Sequence, residues 1–216
     1  MPAHRVGWAH LQDTPRTRGV GGRRLTPGQT GRILLLDRHT MLGDDRLSAS
    51  MKVTYYGHSC FAVEAAGRRL LFDPFVSANE LASGIDVEHI GADYIFLSHG
   101  HADHVADAVA IALWTKAQVL CNFELSLWLA KQGVKNVLAM NHGGTARLEV
   151  GKAKMVPAVH SSSLPDGSYG GNPCGWVITA SEGNFYYAGD TALTTDMKII
   201  GETTRLRFAA LPIGDT

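Results

Sequence analysis

The sequence lacks a net charge: twenty lysines and arginines face twenty aspartates and glutamates in 216 residues. A neutral chain has no overall field to draw it onto nucleic acid or an anionic membrane. Cysteine is scarce. Cys60, Cys121 and Cys174 are scattered and form no CxxC pair, which argues against a disulfide framework and for a reducing compartment. No run approaches the roughly 18 apolar residues of a membrane span, and no apolar stretch of the secretory kind follows the N-terminus. A cytoplasmic protein without membrane partners is the expectation.

Lysine is missing altogether from residues 1–50, where eight arginines against four aspartates give +4. The remaining 12 basic and 16 acidic residues give residues 51–216 a net of −4, a poor footprint for nucleic acid. The first fifty residues also lack periodicity. "PRTRGVGGRRLTPGQTGR" is rich in Gly, Arg, Thr and Pro, and only "ILLLD" is apolar. Arg-rich composition suits a transit peptide, but Asp13, Asp37, Asp44 and Asp45 do not. The reading is a disordered or mis-assigned extension over 1–50, with Met51 as the natural start and one domain over 51–216.

What is present, at 45% hydrophobic and 19% charged residues, suits one soluble globular domain. From Met51, "KVTYY", "CFAVEA" and "RLLFD" predict an antiparallel meander closed by Asp73-Pro74. "ADYIFLS" (Ala92–Ser98) reads as a strand buried on both faces. Val105, Val109, Ala112 and Leu113 have the spacing of an amphipathic helix over His104–Ala117. A strand "QVLC", a helix "FELSLWLAKQG" stopped by Gly133, and a strand "KNVLAM" follow. "KAKMVPAVH" reads as a strand running into His160. The fifteen-residue loop "SSSLPDGSYGGNPCG" is long enough to expect a functional role. "WVITA" and "FYYAGD" predict a hairpin ending at Gly189-Asp190, and "RFAALPIG" a last strand.

One stretch points sharply at chemistry. In "FLSHGHADH", His99, His101, Asp103 and His104 crowd six positions at the end of a buried strand. Imidazole and carboxylate are ligand types that divalent zinc accepts. His99 and His101 can reach one ion across the flexible Gly100, while Asp103 and His104 lie further round, toward a neighbouring ion. His160 and Asp190 each end an apolar strand, where a sheet delivers side chains to one rim.

HxHxDH after a strand resembles the metallo-β-lactamase superfamily of dinuclear metal hydrolases. "YYGHSCF", "LFDPF", "NHGGT", "AVHSSS" and "YAGDT", in this order, are similar to its uncharacterised metal-dependent hydrolase branch near the L-ascorbate-6-phosphate lactonases. The resemblance covers about Met51 to Thr216. It implies an α/β (α+β) fold, a four-layer αββα sandwich, and a centre of two divalent ions, Zn2+ foremost with Mn2+ or Fe2+ as alternatives. His99, His101 and His160 would hold the first ion, Asp103 and His104 the second, and Asp190 would bridge them. Asp103 would also orient and deprotonate the attacking water, and His58 would be a substrate contact or proton donor. Asp73 reads better as an acceptor of histidine ring N–H groups than as a ligand. His142 reads as a turn residue, Cys60 as core packing, and Cys174, with no base beside it, as no nucleophile.

The family supplies a further late histidine to its second ion, yet no histidine follows His160. The implied fold is therefore expected to be incomplete at its C-terminus. The activity implied is hydrolysis of a small-molecule ester, lactone or phosphodiester by water activated between two cations. Rival readings are a non-catalytic metal-binding fragment and a nucleic-acid phosphodiesterase of the same superfamily. Flavodiiron oxidoreductases are a further rival, but they carry Glu where His101 stands. The sequence leaves substrate and homo-oligomer formation open.

Overall fold

In the computed structural model, residues 51–214 and the backbone of Ile33–Asp37 are described. The apolar run ILLLD is a strand, β1 (Ile33–Asp37). The period-2 runs after Met51 become β2 (Lys52–Gly57), β3 (Cys60–Ala65) and β4 (Arg68–Phe72), paired antiparallel as the meander expected. Three strands then add parallel to β4 and to one another: β5 (Tyr94–Phe96), β6 (Gln118–Asn122) and β7 (Val137–Met140). Parallel pairing needs crossovers, and helices supply them. α1 (Ala102–Val105) and α2 (Ala108–Thr115) join β5 to β6, and α3 (Phe123–Lys131) joins β6 to β7.

The second sheet has the order β1-β12-β11-β10-β9-β8. It contains β8 (Thr145–Leu148), β9 (Gly151–Pro157), β10 (Cys174–Ala180), β11 (Gly183–Tyr187) and β12 (Leu206–Pro212), with α4 (Thr195–Thr203) between the last two. Pairing is antiparallel except between β11 and β12.

Alternation along the strands builds the layers. Phe61, Phe72 and Phe96 of the first sheet meet Trp176, Phe185 and Tyr187 of the second in one apolar core. Phe61 stacks on Phe72, and Phe72 on Phe96. The outer face of the first sheet, with Leu71, Ile95 and Val119, packs against Val105, Ile111, Leu125 and Leu129 of α1 to α3. The outer face of the second, with Val177 and Tyr186, packs against Ile200 of α4. This is the αββα arrangement.

Several elements differ from the sequence reading, which expects neither β8 nor α4. The expectation of no regular structure over 1–50 gives way at β1, whose pairing with β12 satisfies backbone groups that an open edge would leave exposed. The rest of that segment lies outside the described residues, as do residues 215–216. The helix expected over His104–Ala117 is broken at Ala106-Asp107. There the Asp107 carboxylate accepts from Val76 N, Ser77 N and Ser77 Oγ, anchoring the loop after β4. Leu113 is consequently 41% exposed and not on the packed face. β9 stops at Pro157, three residues before His160, because proline cannot donate to the ladder. Cys174 begins β10, buried, and does not sit in the long loop.

Candidate metal centre

The first sheet's parallel strands end on one rim, and the turns beyond those ends carry polar residues. Asp73 follows β4, and Ser98 and His99 follow β5. From the second sheet, Asp190 follows β11 and His160 follows β9. Gly189 makes the approach possible. Its φ is +65°, and a Cβ there would lie 2.6 Å from Cys174 O and 2.8 Å from Ser98 Cβ.

Asp73, fully buried, organises the floor. It accepts from Ser98 N at 2.7 Å, Ser98 Oγ at 2.5 Å, His104 Nδ1 at 2.8 Å and Tyr187 Oη at 2.5 Å. A carboxylate only accepts, so His104 must carry a proton on Nδ1, and the neutral form of the ring then has its lone pair on Nε2. The single Ser98 hydroxyl proton goes to Asp73. Ser98 Oγ, 2.9 Å from His99 Nδ1, therefore accepts that ring's proton and leaves a lone pair on His99 Nε2. One carboxylate thus fixes the tautomers of two histidines, the first directly and the second through a hydroxyl. With all these donors spent on it, Asp73 itself is poorly placed to hold an ion.

The donor atoms of His99, His101 and His160 lie within 4.8 Å of one another, and those of His58, Asp103 and His104 form a second such group. His99 Nε2 is 2.9 Å from His101 Nδ1, and the His99 ring is 4.1 Å from that of His104. Asp190 stands between the groups, with Oδ2 3.2 Å from His104 Nε2 and 3.9 Å from His160 Nε2. All six residues singled out by the sequence reading as ligands are therefore brought together. His142 is not: it lines a separate cavity and donates from Nε2 to Pro173 O at 2.8 Å.

His58, expected nearby in a different role, stands inside the second group. It occupies the β2–β3 turn at φ +53°, 93% buried, with its carbonyl accepting from Tyr55 Oη. Among the described residues, two buried side-chain atoms, His58 Nε2 and His104 Nε2, make no well-aligned hydrogen bond. Each nonetheless lies close to a carboxylate, 3.0 Å from Asp103 Oδ2 and 3.2 Å from Asp190 Oδ2 respectively. A buried nitrogen without a hydrogen bond is costly, and a cation shared with those oxygens removes the cost. The donor set fits a metal.

Charge follows the same logic. Burial, with the neighbouring His104, pulls the His99 imidazole down to about 2, so the ring is neutral. Burial and His160 lower His101 as well. His58 holds the Asp103 carboxyl well below the usual range. Burial would raise Asp190, yet the contact with His104 outweighs it and brings the carboxyl down to about 2. Burial also disfavours a charged His104, but Asp190 and Asp73 override it and push that ring up to about 10. Neutral His99 and His101 with ionised Asp103 and Asp190 are ligand forms a cation needs, and at His104 Nε2, beside the Asp190 carboxylate, a bound cation would take the place of a proton. Burial pushes the Cys60 and Cys174 thiols up, so neither offers a thiolate.

A family model described as a beta-lactamase superfamily domain matches residues 68–215. The chain belongs to that superfamily. Among its relatives, a UPF0173 metal-dependent hydrolase of Methylacidiphilum infernorum is 53% identical over 166 residues, 77% of this chain and 74% of that one. Another from Flavobacterium johnsoniae is 50% identical over 165 residues, 76% and 73% of the two chains. Among solved structures, Igni18, a metallo hydrolase from the archaeon Ignicoccus hospitalis, superposes with a TM-score of 0.60 at 32% identity, over 72% of this chain and 67% of that one. The protein is a metal-dependent hydrolase of the metallo-β-lactamase fold.

Within that superfamily fold, Ser98, Tyr187 and the placement of His58 escaped the sequence reading. Tyr187 lies 114 residues from Asp73 and carries no local signal. Ser98 directly precedes His99, and that adjacency was the one available hint. No helix among the described residues is long and apolar enough to cross a membrane.

Proposed function

We propose that this superfamily member hydrolyses an ester, lactone or phosphodiester of a small molecule at a centre for two divalent cations, zinc foremost. The observation that carries the reading is the pair of adjacent donor groups sharing one rim, with Asp190 between them. His99, His101 and His160 would hold one ion. Asp103 and His104 would hold the other, Asp190 both, and His58 Nε2 joins the second set as its third donor. When bound, such a pair supplies Lewis acidity for the reacting oxygen and lowers the pKa of water.

The chain's own residues do the rest. Asp73 and Ser98 hold the His104 and His99 rings in the tautomers that present Nε2. Asp103, whose side chain is 45% exposed, faces the open side of the site. Kept ionised by His58, it can orient a water molecule and accept its proton at Oδ1 or Oδ2. The buried side of the centre, at His99 and His104, excludes solvent and strengthens every charge interaction there. The negative balance of residues 51–216 favours a small-molecule substrate over nucleic acid.

The test is a hydrolysis screen of the zinc-loaded 216-residue chain with p-nitrophenyl esters, γ-lactones and bis(p-nitrophenyl) phosphate. Turnover of one class, lost in His101→Ala, supports the proposal. Metal binding without turnover of any class supports the metal-binding scaffold instead.

A further inference from the structure

A cavity of about 230 Å3 opens beside the centre, walled by Asn122, Glu124, Asn141, His142, Tyr169 and Asn172. It lies on the same rim, beyond the ends of β6 and β7. The loop of residues 161–173 joins the two sites. It folds back on itself through a bridge between Ser163 and Tyr169 and a bond from Leu164 N to Ser168 O. One arm touches the centre, with Ser161 Oγ 3.3 Å from His101 Nε2 and Ser162 Oγ accepting from Gly100 N. The other arm, with Tyr169 and Asn172, walls the cavity.

Several polar groups of the cavity are already hydrogen-bonded within the protein. Asn122 caps α3 through Oδ1 and donates from Nδ2 to Gly170 O and Asn172 O. Asn172 Oδ1 accepts from Tyr169 Oη. His142 donates from Nε2, so in the neutral ring Nδ1 is an acceptor. Among the described residues, the Glu124 carboxylate has neither a hydrogen-bond nor an ion-pair partner. A Cβ at Gly171, where φ is +77°, would fall 2.4 Å from Glu124 Oε2 and 2.5 Å from Asn122 Nδ2, so glycine there lets the loop backbone pass close to both side chains. Among the described residues, no lysine or arginine lines the walls, and Tyr169 is 63% exposed.

We propose that this cavity binds a primary ammonium group carried on the non-reacting part of the substrate, with Glu124 as its counter-charge. His142 Nδ1 and the Asn141 carbonyl can accept further N–H bonds, and the Tyr169 ring attracts a cation. An anionic group would meet Glu124 with no basic side chain among the described residues to offset it, and a neutral polyol would leave that charge unpaired. The assignment as a substrate subsite rests on the hydrolase reading; ammonium binding itself does not.

Calorimetric titration of the 216-residue chain at pH 8 with cadaverine, 1,5-pentanediol and glutarate tests this. Cadaverine is expected to bind, with the diol and the diacid at least about tenfold weaker, as for loss of one charge-assisted hydrogen bond. Glu124→Gln, isosteric and partly exposed, should weaken cadaverine about tenfold or more, and Tyr169→Ala should weaken it as well. His101→Ala, which disables the metal centre, should leave cadaverine affinity within about twofold and so exclude amine coordination to metal as the cause. Failure of cadaverine to bind, equal binding of the diol, or unchanged affinity in Glu124→Gln overturns the proposal. Cadaverine binding in a chain that hydrolyses nothing would sink the hydrolase reading and leave the ammonium site standing.

Discussion

Asp73 accepts four hydrogen bonds in the interior, and two of the donor groups, His104 and Ser98, set the tautomers of ligand-type histidines. Asp73→Asn replaces an acceptor by an amide that cannot take all four. Bound metal is expected to weaken by about 10–100-fold in that variant, read by competition with a chromophoric chelator. The same change should lower unfolding free energy by about 3 kcal/mol, measured in urea. His101→Ala should abolish hydrolysis and lower bound metal with little loss of fold, since that side chain lies on the open side of the site. Unchanged activity in this variant would defeat the ligand assignment. At this scale the HxHxDH run was legible because its members are contiguous, and His160 and Asp190 because each ends an apolar strand. The Asp73 network was only half legible. Its partner Tyr187 arrives through sheet packing, and no spacing in the sequence announces it.

Strands and helices were legible where they depend on local pattern and illegible where a distant residue intervenes. The meander β2 to β4 and the hairpin β10–β11 follow from alternation and turn residues. The break between α1 and α2 does not: Asp107 is pulled from helical duty by the loop at Val76 and Ser77. Asp107→Ala is expected to lengthen the helix locally and free that loop, costing about 2 kcal/mol, with amide exchange at Val76 and Ser77 rising first. β8 is four residues beside Gly-Gly, too short and too weakly β-branched to signal itself. The junction after β11 carries its own prediction. Gly189→Ala puts a Cβ against Cys174 O and Ser98 at a left-handed φ, so a loss of about 2 kcal/mol or more and a weaker metal site are expected together.

Across the whole molecule, two sheets bury one core between them and present donors from both at a single rim, so metal affinity and folding are coupled. Removal of metal with EDTA should lower the melting temperature, and the shift should scale with the logarithm of free zinc on reloading. Composition announced a neutral globular chain but could not say that residues from positions 58 to 190 would meet, because that meeting is made by the packing of Phe61, Phe72 and Phe96 on Trp176, Phe185 and Tyr187. The pairing of β1 with β12 was equally hidden, since an isolated apolar run does not name its neighbour. The most direct measurement is elemental analysis of the purified 216-residue chain after zinc loading and desalting, beside His101→Ala and His58→Ala. About two zinc ions per chain, falling toward one in each variant, is the predicted result. A chain that retains no transition metal, or variants that keep the full complement, would contradict the assembly of these side chains into a cation centre.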